Sequence, residues 1–411
     1  VSARFQAPRG TSDILPAEQD ARRRVHLACV ELFGRAGYGR IETPIFEDTE
    51  LFSRGVGAST DVVQKEMFTF TDQGDRSLTL RPEGTAAIVR AYVEHGMHKL
   101  PQPVKLWHWG PYFRHERPQA GRYRQFNQIG AEVIGTDSPL ADVELILLLG
   151  DLFRELGVPG LTLRLSSLGS PDSRAAHREE LIAYLRAHEA ELAPDVRERI
   201  EENPLRAFDS KDEGTRAVMA AAPQLVDRLD EADAEHFGEV RRLLDHAGVP
   251  YELDGTLVRG LDYYTRTVFE FESESLDAQA ATLGGGGRYD GLVEALGGPA
   301  AAGCGWAAGI ERILLALESP PAEPSADVFV TAPAAHSERA FALVRELRGA
   351  GLHAELDLAG RSLKGQMKQA DRIGARRAVI IDDEGGAEVR DMSSGEQQAL
   401  DLARAVEVLK S

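Results

Sequence analysis

The chain has 411 residues, 43% of them hydrophobic, and a formal net charge of −19. That length supports two or three domains, and that acidity argues against a general nucleic-acid coat while leaving room for a local basic patch. The two cysteines, Cys29 and Cys304, have no metal-ligand spacing, so no disulfide framework and no metal site of clustered Cys and His is expected, and a reducing compartment is. The longest purely aliphatic run, at residues 145–149, is far short of a membrane span. No basic-then-apolar leader opens the chain, so the expectation is a cytoplasmic protein without a membrane partner.

In chain order, SDILPAEQDARRRVHLACVELFGRAGYG sets Val25, Ala28, Cys29 and Leu32 at helical spacing, with Ser12 or Asp13 as the cap and Gly37 and Gly39 as the stop. RIETPIF reads as a strand holding Pro44. Proline cannot donate to a ladder, so this strand is expected at an edge or an interface. MFTFTD and SLTLRPEG alternate like hairpin arms turning at QGDR, and TAAIVRAYVEHG is a helix. VKLWHWGPYFRHE and YRQFNQIGAEVIG read as antiparallel strands around PQAG, with Gly110-Pro111 expected to interrupt the register. ADVELILLLGDLFRELGV is an amphipathic helix and LTLRLSSLG a strand. Antiparallel strands without a regular strand–helix beat make this part α+β.

Residues 171–250 are mostly helical by pattern, and 170–248 hold 19 acidic and 11 basic residues, an acidic helical insertion. The sheet pattern resumes in LVRGLDYYTRTVFEFE, passes through GGGGRYDGLV, and ends in GCGWAAGIERILLALE, a glycine-rich strand entering a helix. PPAEP marks a linker. Beyond it ADVFVTA, ERAFALVRELRGAG, LHAELD, SLKGQMKQADRIGA, RAVIID and AEVRDM form a βαβαβ beat, with a last helix from about Glu396. The expected division is a sheet-based unit at 1–170 and 251–320, an insertion at 171–250, a linker at 321–325 and an α/β domain at 326–411.

Chemistry concentrates in four stretches. FRHERPQAGRYRQFNQIGAE holds Arg114, Arg117, Arg122 and Arg124. An arginine fixed on a strand suits a phosphate or a carboxylate, though a solvated, salt-bridged hairpin reads equally well. In LTLRPEGTA, Glu83 beside Thr85 seats an ammonium group or simply caps a helix. In LVRGLDYYTRTVFE, Arg259 and Asp262 bracket Gly260, and the adjacent Tyr263 and Tyr264 are expected to face opposite sides of a strand. Four successive glycines in GGGGRYDGL cost entropy and suit a ligand lying against the main chain, or a low-complexity loop. Neither a dinucleotide fingerprint nor a phosphate-binding P-loop is present. Arg312 follows in GWAAGIERILLAL, so Arg114, Arg259 and Arg312 read as a polyphosphate clamp. Glu132 and Glu311 are candidate partners for a metal or an imidazole.

Taken together these stretches resemble the bacterial-type, class II histidyl-tRNA synthetases over essentially the whole chain. TPIFEDTELFSRGVG is similar to the first class II motif, FRHERPQAGRYRQFNQIGAE to the second and GWAAGIERILLAL to the third. LVRGLDYYTRTVFE and GGGGRYDGLV are the blocks that separate this synthetase from its relatives. The resemblance implies a class II catalytic domain on an antiparallel sheet with flanking helices, a helical insertion, and a C-terminal α/β anticodon-binding domain. It implies ATP with accompanying Mg2+, L-histidine and tRNA(His) as ligands, a homodimer, and formation of histidyl-adenylate before transfer to the tRNA 3′ end.

By the same resemblance Arg114, Arg259, Arg312 and Glu116 serve ATP, with Arg259 and Arg114 catalytic. Glu83, Thr85, Gln128, Glu132, Arg259, Tyr263 and Tyr264 bind histidine. Glu83, Thr85 and Gln128 take its ammonium, and Glu132 and Tyr264 grip the two imidazole nitrogens, one a donor and one an acceptor. Tyr289 enters the pocket without an assigned contact. Arg117, Gln119 and Arg122 reach the tRNA acceptor end. Residues 105–128 carry five basic side chains and one acidic, and 361–377 six and one, so both patches suit tRNA. A catalytically altered paralogue, regulating histidine biosynthesis or serving a kinase as its tRNA-binding part, and a synthetase for proline, threonine, serine or glycine are the alternatives.

Overall fold

The structure is a computed structural model and describes residues 5–58, 60–201, 204–210, 212–257, 259–277, 281–317 and 326–410. The linker expected at 321–325 lies outside them. The chain divides into two compact units, residues 1–14 with 21–319 and residues 15–20 with 320–411.

Helix α1 (Pro16–Ala36) buries Val25, Cys29, Leu32 and Phe33 along one stripe. It begins later than the sequence suggests. Ser12 and Asp13 precede it, proline occupies the first turn, and the Leu15 N–H donates to the Glu18 carboxylate at 3.0 Å. RIETPIF does not form one strand either. It yields β1 (Gly39–Arg40) and β2 (Phe46–Asp48), which join different sheets. Pro44 lies between them, where carbonyls face a side chain instead of a ladder: Arg81 donates from Nη1 to Thr43 O at 2.9 Å. Helix α2 (Thr49–Gly55) follows, and β3 (Phe68–Thr71) and β4 (Ser77–Leu80) form the expected hairpin. The Asp72 carboxylate closes its turn by accepting from the N–H groups of Gly74 and Arg76.

After α3 (Thr85–Glu94), strands β5 (Val104–Phe113) and β6 (Gln125–Ile134) pair without interruption from Val104↔Ile134 to Phe113↔Gln125. The break expected at Gly110-Pro111 is absent, for a physical reason. The Phe113 N–H points away from β6, to Arg81 O at 3.0 Å. Alternation puts position 111 on that same side, so proline costs no ladder bond there. Next come α4 (Pro139–Leu156), β7 (Leu161–Ser167), α5 (Pro171–Ala187), α6 (Pro194–Arg197), α7 (Glu213–Met219), α8 (Glu231–His246) and β8 (Glu252–Leu253). Then follow β9 (Thr265–Ser273), β10 (Thr282–Arg288), α9 (Leu292–Ala295), β11 (Gly303–Gly309) and α10 (Ile310–Ala316).

An eight-stranded sheet in the order β1-β5-β6-β11-β10-β9-β7-β8 forms the frame, antiparallel except for its two outermost pairs. One face carries Trp107, Ile129, Ala131, Trp306, Phe269 and Phe271 into the main core, against α1, α4 and Phe237, Val240 and Leu244 of α8. The helical stretch is therefore not wholly separate. Residues 181–222 keep a small core of their own, around Leu181, Leu185 and Met219, while α8 packs on the sheet.

The second unit contains β12 (Val328–Thr331), α11 (Ser337–Gly349), β13 (Ala354–Leu356), α12 (Leu363–Arg372), β14 (Arg377–Ile381), β15 (Ala387–Asp391), β16 (Gln397–Ala399) and α13 (Ala405–Lys410). Its sheet runs β13-β12-β14-β15-β16, parallel in the first three strands and antiparallel after. The helix expected from about Glu396 starts only at Ala405. The Asp391 carboxylate accepts from the N–H groups of Ser393 and Ser394, and Gly395 takes a φ of 76°, so the chain turns back into β16 instead.

Candidate functional site

The other face of the large sheet is nearly bare at its centre. One row of directly paired residues crosses five strands as His108, Gly130, Ala307, Gly285 and Glu270. The next reads Leu106, Glu132, Gly305, Gly287 and Val268. Small residues in the middle leave a hollow with polar side chains at its ends, a cavity of about 400 Å³. The four glycines of GGGGRYDGL thus lie in a central strand and not in a loop. A Cβ at Gly286 would sit 2.0 Å from Gly305 O, and one at Gly285 2.4 Å from Phe269 O. Their neighbours demand glycine, and Gly284 and Gly285 also line the cavity.

The arginines meet here. Arg114, Arg122, Arg259 and Arg312 all line the cavity. Arg114 is aimed by its Nε–H to Pro82 O at 2.8 Å and by stacking near Phe126. Arg312 donates to two carbonyls, Gly121 O at 3.0 Å and Thr282 O at 2.7 Å. Among the described residues, no carboxylate pairs with Arg114 or Arg312. Burial, Arg122 and Arg114 hold the Arg312 guanidinium below its ordinary value, partly offset by Glu116, as in a cleft with surplus positive charge. Arg259 pairs with Glu270 and lies 5.7 Å from the centre of the Tyr264 ring. Glu116 lines the same region and sits 3.5 Å from Arg122. Gln119 and Arg122 close the loop through paired backbone bonds, whereas Arg117 is exposed and outside the cavity.

Beside the arginines are the acids, amides and phenols. Glu83 accepts from the N–H groups of Thr85 and Ala86 at 2.7 and 2.9 Å, so it caps α3 while lining the cavity. Burial raises its pKa against those two amides. Tyr263 donates to it at 3.3 Å. Gln128 lines the cavity, and its buried Oε1 has no partner among the described residues. Glu132 lies just beneath, fully buried, and accepts from Thr85 Oγ1 at 2.8 Å and from the Tyr289 hydroxyl at 2.7 Å. Burial outweighs those two donors and pushes the carboxyl up to about 8.

The two tyrosines depart from the strand expected of them. Strand β9 begins at Thr265, and Tyr263 and Tyr264 occupy the turn before it, with ring centroids 4.7 Å apart, both at the cavity. This turn is held by the helical insertion. Arg174 of α5 donates to Tyr264 O at 2.9 Å, and Arg266, at a φ of 48°, pairs with Asp233 of α8. No local signal in the sequence announces Arg174 in that role. The Tyr289–Glu132 bond is likewise a meeting of distant segments. His108 and Tyr112 share one face of β5 because its pairing with β6 runs unbroken through Gly110-Pro111. Among the described residues, no group of three or more His, Cys, Asp or Glu side chains is placed to hold a metal ion.

A profile of the family described as histidyl-tRNA synthetase matches residues 10–313, and one described as anticodon binding domain matches 327–411. The histidine–tRNA ligase of Desulforamulus reducens is 48% identical over 413 residues, covering 98% of each chain. That of Rubrobacter xylanophilus is 50% identical over 408 residues, covering 96% of each. The crystal structure of apo S. aureus histidyl-tRNA synthetase, 38% identical, superimposes with a TM-score of 0.82 and covers 99% of this chain and 100% of its own.

Proposed function

The chain belongs to the histidyl-tRNA synthetase family and is a class II histidine–tRNA ligase, and from that premise we propose how its cleft performs the reaction. The observation that carries the reading is the cluster of four guanidinium groups in one cleft, two of them without a carboxylate partner among the described residues. Such a cluster fits a polyphosphate. Arg312 takes the terminal phosphate of ATP, and Arg114 and Arg259 flank the α-phosphate and the amino-acid carboxylate. Mg2+ accompanying the phosphates would offset their charge, and Glu116, which lines the cavity, is the carboxylate assigned to the ATP side.

Histidine lies on the glycine floor. Its ammonium meets Glu83, Thr85 and the unpartnered Gln128 Oε1, and its ring lies by Glu132, Tyr263 and Tyr264. The carboxylate attacks the α-phosphorus, the bond to the leaving pyrophosphate breaks, and Arg259 and Arg114 stabilise the charge that shifts around phosphorus. A hydroxyl of the terminal tRNA ribose then attacks the activated carbonyl, and AMP leaves. Arg117, Gln119 and Arg122 on the exposed loop meet the acceptor end. The unit at 326–411, basic along 361–377, reads the anticodon. The active form is a homodimer, and its location is cytoplasmic; no helix among the described residues is long and apolar enough to cross a membrane.

Pyrophosphate exchange assayed with each of the twenty amino acids tests the reading. Exchange is expected with histidine, and Arg259→Ala is expected to lower the single-turnover rate of adenylate formation about a hundred-fold, with little change in the dissociation constants of histidine and ATP. Exchange driven by another amino acid overturns the substrate. An unchanged rate overturns the role of Arg259.

A further inference from the structure

His108 has no part in the scheme above, yet it stands at the end of the central row on the floor of the cavity. It is 95% buried (5% exposed), and its Nε2 finds no partner among the described residues. Its other nitrogen, Nδ1, lies 2.9 Å from the Tyr112 hydroxyl. That phenol is 1% exposed and has only this partner among the described residues. A buried O–H left without an acceptor is costly, so the phenol donates to Nδ1. The imidazole proton then resides on Nε2. Burial, reinforced by Arg81, pushes the His108 pKa down to about 3, so the ring is neutral at working pH.

The surroundings are built around this pair. Arg81 stacks over the Tyr112 ring at 4.6 Å and donates to Pro111 O and Thr43 O, which fixes the phenol. Glycines make the space. A Cβ at Gly84 would fall 2.7 Å from the Tyr112 hydroxyl, and one at Gly130 2.3 Å from His108 Nε2. Gln128 lies diagonally across on β6, on the same face, with its own unpartnered Oε1. One donor and one acceptor, both buried and unmatched, thus sit side by side beneath the N-terminus of α3. An α-amino-acid head offers the complementary pair, an ammonium donor and a carboxylate acceptor.

We propose that His108 is a further substrate-binding residue, whose Nε2–H donates to the carboxylate of the bound amino acid while Gln128 Oε1 accepts from its ammonium. This rests on the synthetase reading of the cleft. The His108–Tyr112 pair holds the nucleophilic carboxylate without adding charge, alongside the charged contacts from Arg114 and Arg259. A third donor is compatible, because a carboxylate has about four lone-pair sites.

The test uses histidine as substrate and histidinol, which lacks the carboxylate, as competitive inhibitor, on the full chain. His108→Phe keeps an aromatic ring and removes the donor. The expected result is a rise of roughly ten-fold or more in the KM for histidine, an unchanged KM for ATP and an unchanged inhibition constant for histidinol. His108→Gln, which restores an N–H, is expected to recover most of the loss. Tyr112→Phe frees the tautomer and is expected to raise the histidine KM severalfold, again without touching histidinol; it decides the matter if His108→Phe does not fold. Histidine and histidinol weakening together would mean that the pair only packs, and no change in either would mean no contact. Both results overturn the inference. Wild-type protein without histidine-dependent exchange would instead overturn the synthetase reading itself.

Discussion

At the scale of single residues, Glu132 carries the plainest consequence. Its carboxyl is raised from an ordinary value near 4.5 to about 8 by burial. Between those values the folded chain holds a proton that the unfolded chain has released, so stability falls as pH rises through that window. Glutamine resembles the protonated acid at every pH. Glu132→Gln should therefore melt close to wild type near pH 5 and gain on it progressively toward pH 8, as followed by thermal unfolding against pH. A difference in Tm that stays flat across the window would show that the carboxyl is ionised throughout. The chemical type of these site residues was legible in the sequence, because arginine, glutamate and tyrosine announce their chemistry. What was not legible was who meets whom. Glu132 finds Tyr289 from a segment 157 positions away, and Arg259 finds Glu270 while Asp262 stands nearer in sequence. Such pairings follow from sheet register, which a single segment does not encode.

At the scale of elements, periodicity served well where one face of an element is buried and one is wet, as in α1 or α11. It failed where the face pattern is erased. The run Gly284–Gly287 has no side chains to alternate, yet it forms the middle of the sheet because both neighbouring strands crowd it. Ala is expected to be refused there. A methyl at Gly286 falls 2.5 Å from Trp306 Cα and 2.6 Å from its Cβ, in backbone that cannot step aside. Gly286→Ala should cost about 1–3 kcal/mol by overpacking. Gly238, inside α8 with nothing within 4 Å of its added methyl, is the control. Gly238→Ala should stabilise by about 0.5–1 kcal/mol. Chemical denaturation of the two variants would measure opposite shifts in midpoint, and equal shifts would refute the steric argument. The same element logic explains the tyrosine turn. Adjacent tyrosines suggested a strand, but Arg174 and Asp233 of the insertion hold that stretch in a turn, so an acidic helical stretch has a share in shaping the pocket.

At the scale of the whole molecule, the small sheet of β2, β4 and β3 leaves part of its apolar side open while Thr79 on the other side is buried. Register places Phe46, Leu80 and Phe68 in one row and Asp48, Leu78 and Phe70 in the next, all on one side. Glu47, Thr79 and Thr69 share the other side, where the Thr79 hydroxyl lies 2.9 Å from Thr49 and 3.0 Å from Thr69 and is fully buried. Part of the apolar side is exposed: Phe46 is 51% and Phe70 43% accessible, with their ring centroids 6.2 Å apart. A cluster of large apolar side chains left open in this way marks an interaction surface. A two-fold pair, in which the same patch meets itself, is the simplest way to cover it. We therefore expect sedimentation at micromolar concentration to give about twice the chain mass of 44.8 kDa. Phe46→Glu with Phe70→Glu should shift the species toward monomer, because two charges per chain would be buried without partners. The catalytic sheet lies in the same unit as this patch, so histidine-dependent exchange should fall with the dimer fraction as the variant is diluted. A wild-type monomer with full exchange activity would remove the homodimer from the scheme. A double variant that still sediments as a dimer would place the interface elsewhere on the unit.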